Sequence, residues 1–277
     1  MKPGLLIFLL AVSNALVWSS LSGRSETEAS VFFLDVGQGD SALLAVNGLD
    51  ILVDAGPGKN VLYELEKVLP KTDKYIDLAV VSHPHADHYG GLEYVLSDYE
   101  VGAVVWNGAE SAGGFNKILD IARKRGIPAV ELSAGDSISS DDLDIKIVYP
   151  PEGTDEEILS GNDGSLVMFS AMGNLSGIFT GDIARKAEPL VSAVDFPDVD
   201  FLKIPHHGSN ASSSSSLIMA ANPLVAVMSV GKNSYGLPDE EVFQRFSSAG
   251  IPVFRTDEEN GIRLLKEDGN LKVLSLE

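Results

Sequence analysis

Residues 80–94 read VVSHPHADHYGGLEY, and three of the chain's five histidines fall within six positions of it, at His83, His85 and His88. Asp87 stands between the last two, and the remaining histidines, His206 and His207, are adjacent in LKIPHHGSN, residues 202–210. In an extended segment, residues two apart face the same way, so His83 and His85 can converge on one cation. A turn at Ala86 re-aims Asp87 and His88 towards a neighbouring point, and four such ligands suffice to begin two adjacent sites. Imidazole and carboxylate suit zinc, manganese or iron. The chain has no cysteine, which excludes disulfides, thiolate metal sites and a cysteine nucleophile. The glycines of YGG let the backbone turn tightly and start a helix beneath the ligands.

Outward from this stretch, short β-rich runs dominate. VFFLDV, SALLAV and DILVDAG, separated by the turn signals GQGD and NGLD, read as an antiparallel meander. DLAVVS, which leads into the histidines, is a continuous apolar run suited to a strand covered on both faces. GAVVWN, IPAVEL, DIKIVYP, SLVMFSAM, SGIFTGD, VDFLKIP, PLVAVMSV, IPVFR, GIRLLK and LKVLSL are further strand candidates. Helical spacing marks KNVLYELEKVLP, FNKILDIARKRG with Gly126 as its C-terminal cap, a short helix near Ala184, and PDEEVFQRFSSAG. NASSSSSLIM reads as a mobile low-complexity loop. Two face-to-face sheets with helices outside use this pattern economically.

Composition sets limits. The 277 residues, 44% apolar and 22% charged, can bury a real core. A net charge of −20 repels phosphate backbones, so stable binding to duplex nucleic acid is not expected, although a local cation or bound metal can still hold one phosphate. At the N-terminus, Lys2 precedes an apolar run from Leu5 to Val12 and then the polar SGRSETEAS. Residues 1–29 therefore read as a signal peptide or an N-terminal membrane anchor plus a short linker, and 30–277 as one domain. Either reading makes the protein extracytoplasmic, secreted or anchored to the cytoplasmic membrane; its oligomeric state is left open.

HPHADH followed by GG resembles the HxHxDH motif of the metallo-β-lactamase superfamily, and LVDAG, IFTGD and PHHGS follow the family order. FLDVGQGDS, NDGSLV, FTGDI, LKIPHHGSNASSS and SVGKNSYGLP together resemble the soluble domain of the ComEC DNA-uptake proteins and their free-standing relatives. The resemblance, from about residue 31 onwards, implies an α+β fold, a four-layer αββα sandwich, holding two divalent ions, zinc or manganese. His83 and His85 would hold the first ion, Asp87 and His88 the second, and Asp182 would bridge. One of His206 and His207 would complete the second site, and the other would face the substrate as proton donor or phosphate contact. Asp54 would support the ligand loop; read alone, it could equally be a turn residue.

Two positions depart from the fullest pattern. Many superfamily members place a third histidine on the first metal, where this chain reads SGNDGSLV; Asn162 or Asp163 could act there as a weak ligand or position water. ComEC-type relatives often have histidine where this chain has Leu237. On the substrate side, Asp40 could be a wall of the site or a polar turn, Ser209 a contact or plain loop, and Lys203 or Lys232 a phosphate contact or a solvated lysine, with Tyr235 beside them. Two ions about 3.5–4 Å apart activate water and neutralise charge on the attacked centre. The expected activity is thus a metal-dependent hydrolase of phosphodiesters, including single-stranded DNA. The alternatives are a hydrolase of a lactam, lactone or thioester, and a non-catalytic metal-binding accessory module, the last suggested by Leu237.

Overall fold

A computed structural model describes residues 29–109 and 113–276. The leader or anchor expected at the N-terminus lies outside the described residues, among which no helix is long and apolar enough to cross a membrane.

The meander forms as its alternation requires. β1 (Ser30–Phe33), β2 (Ser41–Val46) and β3 (Leu49–Ala55) pair antiparallel in sequence. β4 (Tyr75–Val80), β5 (Glu100–Trp106) and β6 (Ala129–Glu131) then extend the sheet in parallel. The second sheet repeats this plan. β7 (Ser137–Ser140), β8 (Leu143–Tyr149), β9 (Val167–Met172) and β10 (Leu175–Phe179) run antiparallel, and β11 (Phe201–Lys203), β12 (Val225–Met228) and β13 (Val253–Arg255) continue in parallel. The closing hairpin, β14 (Ile262–Glu267) and β15 (Asn270–Ser275), returns to the first sheet, where β14 pairs with β1. Among the described residues the sheets thus have eight and seven strands.

Three apolar clusters mark the three interfaces of the αββα sandwich. The central one takes Phe33, Leu44 and Val53 from the first sheet and Met168, Phe179 and Phe201 from the second. Phe33 stacks on Phe179 at 5.9 Å and meets Phe201 edge-on at 5.6 Å, which pins the sheets together. Because strand side chains alternate, Phe33 faces this layer while its neighbour Phe32 faces the outer helices. Those helices bury Val61 and Leu65 of α1 (Asn60–Val68), Val95 and Leu96 of α3 (Leu92–Asp98), which follows the short α2 (Ala86–Tyr89), and Phe115 and Ile118 of α4 (Phe115–Arg125). Gly126 caps α4 in the left-handed conformation, φ 71°, as its sequence position implies. On the far face, Val242 and Phe246 of the helix Glu240–Ser248 cover the second sheet.

The serine-rich run is pinned in place, contrary to the expectation of a mobile loop. Glu188 accepts the backbone N–H groups of Ser213 and Ser214, and Arg245 donates to the carbonyls of Ser212 and Ser213 at 2.8 Å each. Ser214 then caps the helix Ser215–Ala221, accepting Leu217 N–H at 3.3 Å. Low complexity misled here because serine side chains say little about where backbone groups find partners.

One charge is placed against stability. Asp50, buried on β3, has its carboxyl pushed up to about 6 by burial and by Asp73 and Asp77. A raised carboxyl favours the protonated native state, so its contribution is fully present below the unfolded pKa and is lost as pH rises through about 6. Asp50→Asn is expected to stabilise the protein by about 1–2 kcal/mol at pH 7.5, after allowance for solvent screening, with the gain fading towards pH 4. Urea unfolding at the two pH values measures this; equal gains at both would reject the assignment.

Candidate metal centre

Five connections meet at one rim of the sandwich, each leaving the C-terminal end of a strand. β3 carries Asp54 one residue before its end, β4 leads to His83–His88, β10 to Asp182, β11 to His206 and His207, and β12 to Ser229. The glycines after His88 hold the first loop down by close approach. A Cβ on Gly91 would lie 1.9 Å from Ala55 O, and one on Gly90 2.5 Å from both Ala86 O and Pro57 O. Both have ordinary helical dihedrals, so what they supply is space; the tight turn expected of them is not needed.

Asp182 Oδ2 lies 3.2 Å from His88 Nε2 and 3.4 Å from His207 Nε2, and His207 Nε2 lies 3.3 Å from Asp87 Oδ2. One ligand atom from each of these four residues falls within 4.8 Å of all the others. His83 Nε2, His88 Nε2, His207 Nε2 and Asp182 Oδ1 are buried and lack hydrogen-bond partners. Leaving such atoms unmatched costs about 1–3 kcal/mol each, so their convergence fits a cation. The opposite edge of each ring is engaged. His88 Nδ1 faces Asp54 Oδ2 at 2.9 Å, His207 Nδ1 faces Ser229 O at 2.9 Å, and His83 Nδ1 lies 3.2 Å from both Ser82 Oγ and Ser165 Oγ. These contacts orient the rings and leave Nε2 for a metal.

The electrostatics agree. Burial works against charge on His88, but Asp182 and Asp54 outweigh it and hold its pKa well above the usual histidine range; Asp182 does the same for His207. Burial would raise Asp182, yet His207 and His88 hold it well below the carboxylate range. The carboxylates thus demand positive charge at this point. His83, by contrast, is pushed well below its usual value by burial and by His88, which favours the neutral imidazole a ligand needs.

The histidine pair is resolved by its backbone. His206 and His207 both take left-handed dihedrals, φ 52° and 51°, and Gly208 follows at 79°. The two rings end 6.3 Å apart and inclined at 67°. His207 turns inward to the ligand group; His206 turns to the cleft, its Nε2 3.0 Å from Asn162 Nδ2. His207→Ala is therefore expected to weaken metal binding by at least about 10- to 100-fold, whereas His206→Ala keeps the metal and loses turnover. Calorimetric titration with manganese beside a hydrolysis assay separates the two; equal metal loss in both variants would contradict the assignment.

The expected first site is less gathered. His83 and His85 rings lie 4.4 Å apart, and Asn162 Oδ1 is buried without a partner. Asn162 and His85 line the same cleft, so this oxygen could serve as the weak ligand. Asp163 is engaged elsewhere: its Oδ1 accepts Ala184 N–H at 2.9 Å and Ala187 N–H at 3.2 Å, in the backbone after Asp182. Asp54 is the bulged residue of β3, φ 57°, and its carboxylate accepts Ser82 N–H and Oγ–H at 2.8 Å each, besides facing His88. It is thus a support set on a strand bulge, and the turn reading does not hold.

Asp40 is displaced from its expected place on the substrate side. It is buried behind the ligands, paired with Lys203, with Oδ1 3.3 Å from His207 Nδ1. Lys203 is neither a phosphate contact nor solvated. It is 3% exposed, donates to Gly181 O at 2.9 Å and lies 3.5 Å from Asp182 Oδ1. Burial draws its pKa down, but Asp40 and Asp182 raise it above the usual value, so it stays charged. On β11 it shares a face with Phe201, but alternation alone does not say that this face is covered or that a counter-charge waits there. In front of the ligands opens a cleft of about 1010 Å³, lined by His206, Ser209, Lys232, Tyr235 and Leu237 among others.

This fold and ligand set define a metallo-hydrolase architecture. The family model of the metallo-beta-lactamase superfamily matches residues 34–232, and the chain belongs to that superfamily. Among curated proteins it is 32% identical over 259 residues to ComE operon protein 3 of Bacillus subtilis, covering 86% of this chain and 33% of that protein. It is 28% identical over 258 residues to competence protein ComA of Neisseria gonorrhoeae, covering 91% and 34%. The resemblance to competence proteins read from the motifs therefore holds, and the chain spans about a third of the length of these relatives. Among solved structures, Igni18, a metallo hydrolase from Ignicoccus hospitalis, aligns with TM-score 0.58 at 16% identity over 86% of this chain and all of that one. A diphosphatase of the PhnP family aligns with TM-score 0.53 at 15% identity, covering 90% and 99%. At such identities these two likenesses concern the fold.

Proposed function

We infer that the protein is a metal-dependent phosphodiesterase acting on nucleic-acid strands, single-stranded DNA foremost. The observation that carries this is the group of orphaned buried ligand atoms opening onto a cleft with an ammonium, Lys232, and an imidazole, His206, on its wall. Two bound divalent ions, zinc or manganese, would supply polarisation of a phosphoryl group and activation of water. The chain's own groups do the rest. Asp182 and His207 hold the reacting centre at the cleft floor. His206, steadied by Asn162, is aimed to give a proton to a departing oxygen, and Lys232 meets the substrate's negative charge. The competence-protein relatives support a nucleic-acid substrate. The chain's −20 charge disfavours duplex binding and leaves a strand or strand end. The leader-like run at residues 5–12 supports an extracytoplasmic setting.

The test loads the protein with manganese or zinc and offers labelled single-stranded DNA, bis(p-nitrophenyl) phosphate and nitrocefin. Metal-dependent cleavage of the first two, with nitrocefin untouched, is the expected result. Failure on both phosphodiesters overturns the reading, and turnover of nitrocefin alone favours the lactam alternative. Metal binding without any hydrolysis favours the accessory module, in which Leu237 leaves the cleft without a needed histidine.

A further inference from the structure

The loop after β12 carries a feature that metal chemistry does not require. Tyr235 is 78% exposed and lines the cleft. An exposed tyrosine on a loose loop would mean little, but this loop is braced from within by one side chain. Asn233 Nδ2 donates to Gly231 O at 2.9 Å and to Leu237 O at 2.8 Å, while its Oδ1 accepts Tyr235 N–H at 3.0 Å and Leu237 N–H at 3.2 Å. Gly231 N–H also donates to Gln38 Oε1 at 3.3 Å, tying the loop to the first half of the chain. The backbone is therefore fixed in advance, and it holds an aromatic ring in water. Lys232, on the same loop, is exposed and lines the same cleft. Ring and ammonium together flank the approach to Asp182 and His206.

Two further observations indicate what the ring meets. A cleft of about 1010 Å³ is far larger than a phosphodiester group alone can fill. A chain of net charge −20 is ill suited to tracking a run of phosphates, so beyond the one phosphate a local cation can hold, contact with the strand falls to uncharged surface. Every nucleobase has a π-face, and stacking on an aromatic side chain is tolerant of sequence. We propose that Tyr235 is a stacking platform for the nucleobase beside the phosphate held at the metal centre, with Lys232 on that phosphate, so that the substrate is a base-bearing strand. The proposal rests on the phosphodiesterase reading above and adds to it the means by which a strand is told from a bare phosphodiester.

The test compares two oligonucleotides with identical phosphodiester backbones, one of thymidines and one of abasic tetrahydrofuran units. Binding is measured by fluorescence anisotropy at low salt with calcium in place of the active metal, and cleavage with manganese, using the full chain and its Tyr235→Ala and Tyr235→Trp variants. The wild type is expected to bind the thymidine strand about 5- to 100-fold more tightly than the abasic one. Tyr235→Ala is expected to bring the thymidine strand to the abasic level, and Tyr235→Trp to keep the preference. Equal binding of the two strands by the wild type overturns the platform, whether or not either is cut. So does a Tyr235→Ala variant that keeps the full preference. Base-dependent binding that is lost in Tyr235→Ala, with no cleavage of either strand, supports the platform while overturning the hydrolase reading.

Discussion

Replacing Asp182 with asparagine is expected to leave the protein folded, unable to retain a divalent ion through dialysis, and slowed by well over about 100-fold in phosphodiester hydrolysis. Loss of an outer partner of a metal ligand already costs about 10- to 100-fold, and Asp182 is nearer than that. Its Oδ2 stands between His88 Nε2 and His207 Nε2, and its Oδ1 has no hydrogen-bond partner. Asparagine fills the same volume but removes the charge that draws a cation to the point where the three side chains meet. The fold is expected to survive because the backbone N–H of Asp182 still donates to Ser165 Oγ at 3.0 Å, and the buried Lys203, 3.5 Å from Asp182 Oδ1, keeps Asp40 as its counter-charge. Elemental analysis of the dialysed variant, with circular dichroism beside it, provides the check. Wild-type metal content in Asp182→Asn would exclude its carboxylate as the group that holds the ion.

The second large effect lies behind the ligands. Lys203→Met is expected to destabilise the protein by about 3–5 kcal/mol, the usual result of removing one partner of a buried ion pair. The substitution leaves Asp40 enclosed without its cation, and Asp40 also lies 3.3 Å from His207 Nδ1. The double variant Asp40→Asn/Lys203→Met is expected to recover much of the loss, since two apolar or neutral groups of similar size tolerate burial where one charge does not. Urea unfolding of the two single variants and the double variant closes the cycle. Strict additivity would show that the pair is not coupled. Metal affinity is expected to fall in Lys203→Met as well, because the ammonium supports His207 through Asp40 and Asp182 through Gly181 O.

What could be read in advance follows from how many positions share a constraint. The gathering of Asp87 and His88 with Asp182 and His207 is legible because a metal accepts few residue types and the motif spacing is short, while His83 and His85 remain the expected first site. The sheets were legible because many strands alternate at once. Asp40 and Lys203 were not, because each owes its role to a single partner brought from a distant loop, and a lone charge in sequence looks the same whether it faces solvent or a buried counter-charge. The choice between His206 and His207 was out of reach for another reason. Adjacent residues share composition and context, and only the consecutive left-handed dihedrals decide which ring turns inward. Conformations of that kind cost about 1–2 kcal/mol per residue and leave no compositional trace in histidine.

The closing hairpin sets an order of events during synthesis. β1 begins at Ser30, yet its second neighbour, β14, supplies Leu265 as the partner of that same residue. A strand made early waits beside an open edge until β14 has been translated. Closing so long a loop is slow compared with forming local hairpins. The second sheet, whose neighbouring strands follow one another along the chain from β7 to β13, has no such delay. The sheet that carries β4, the strand leading to His83, His85 and His88, is therefore the one whose last strands are translated last.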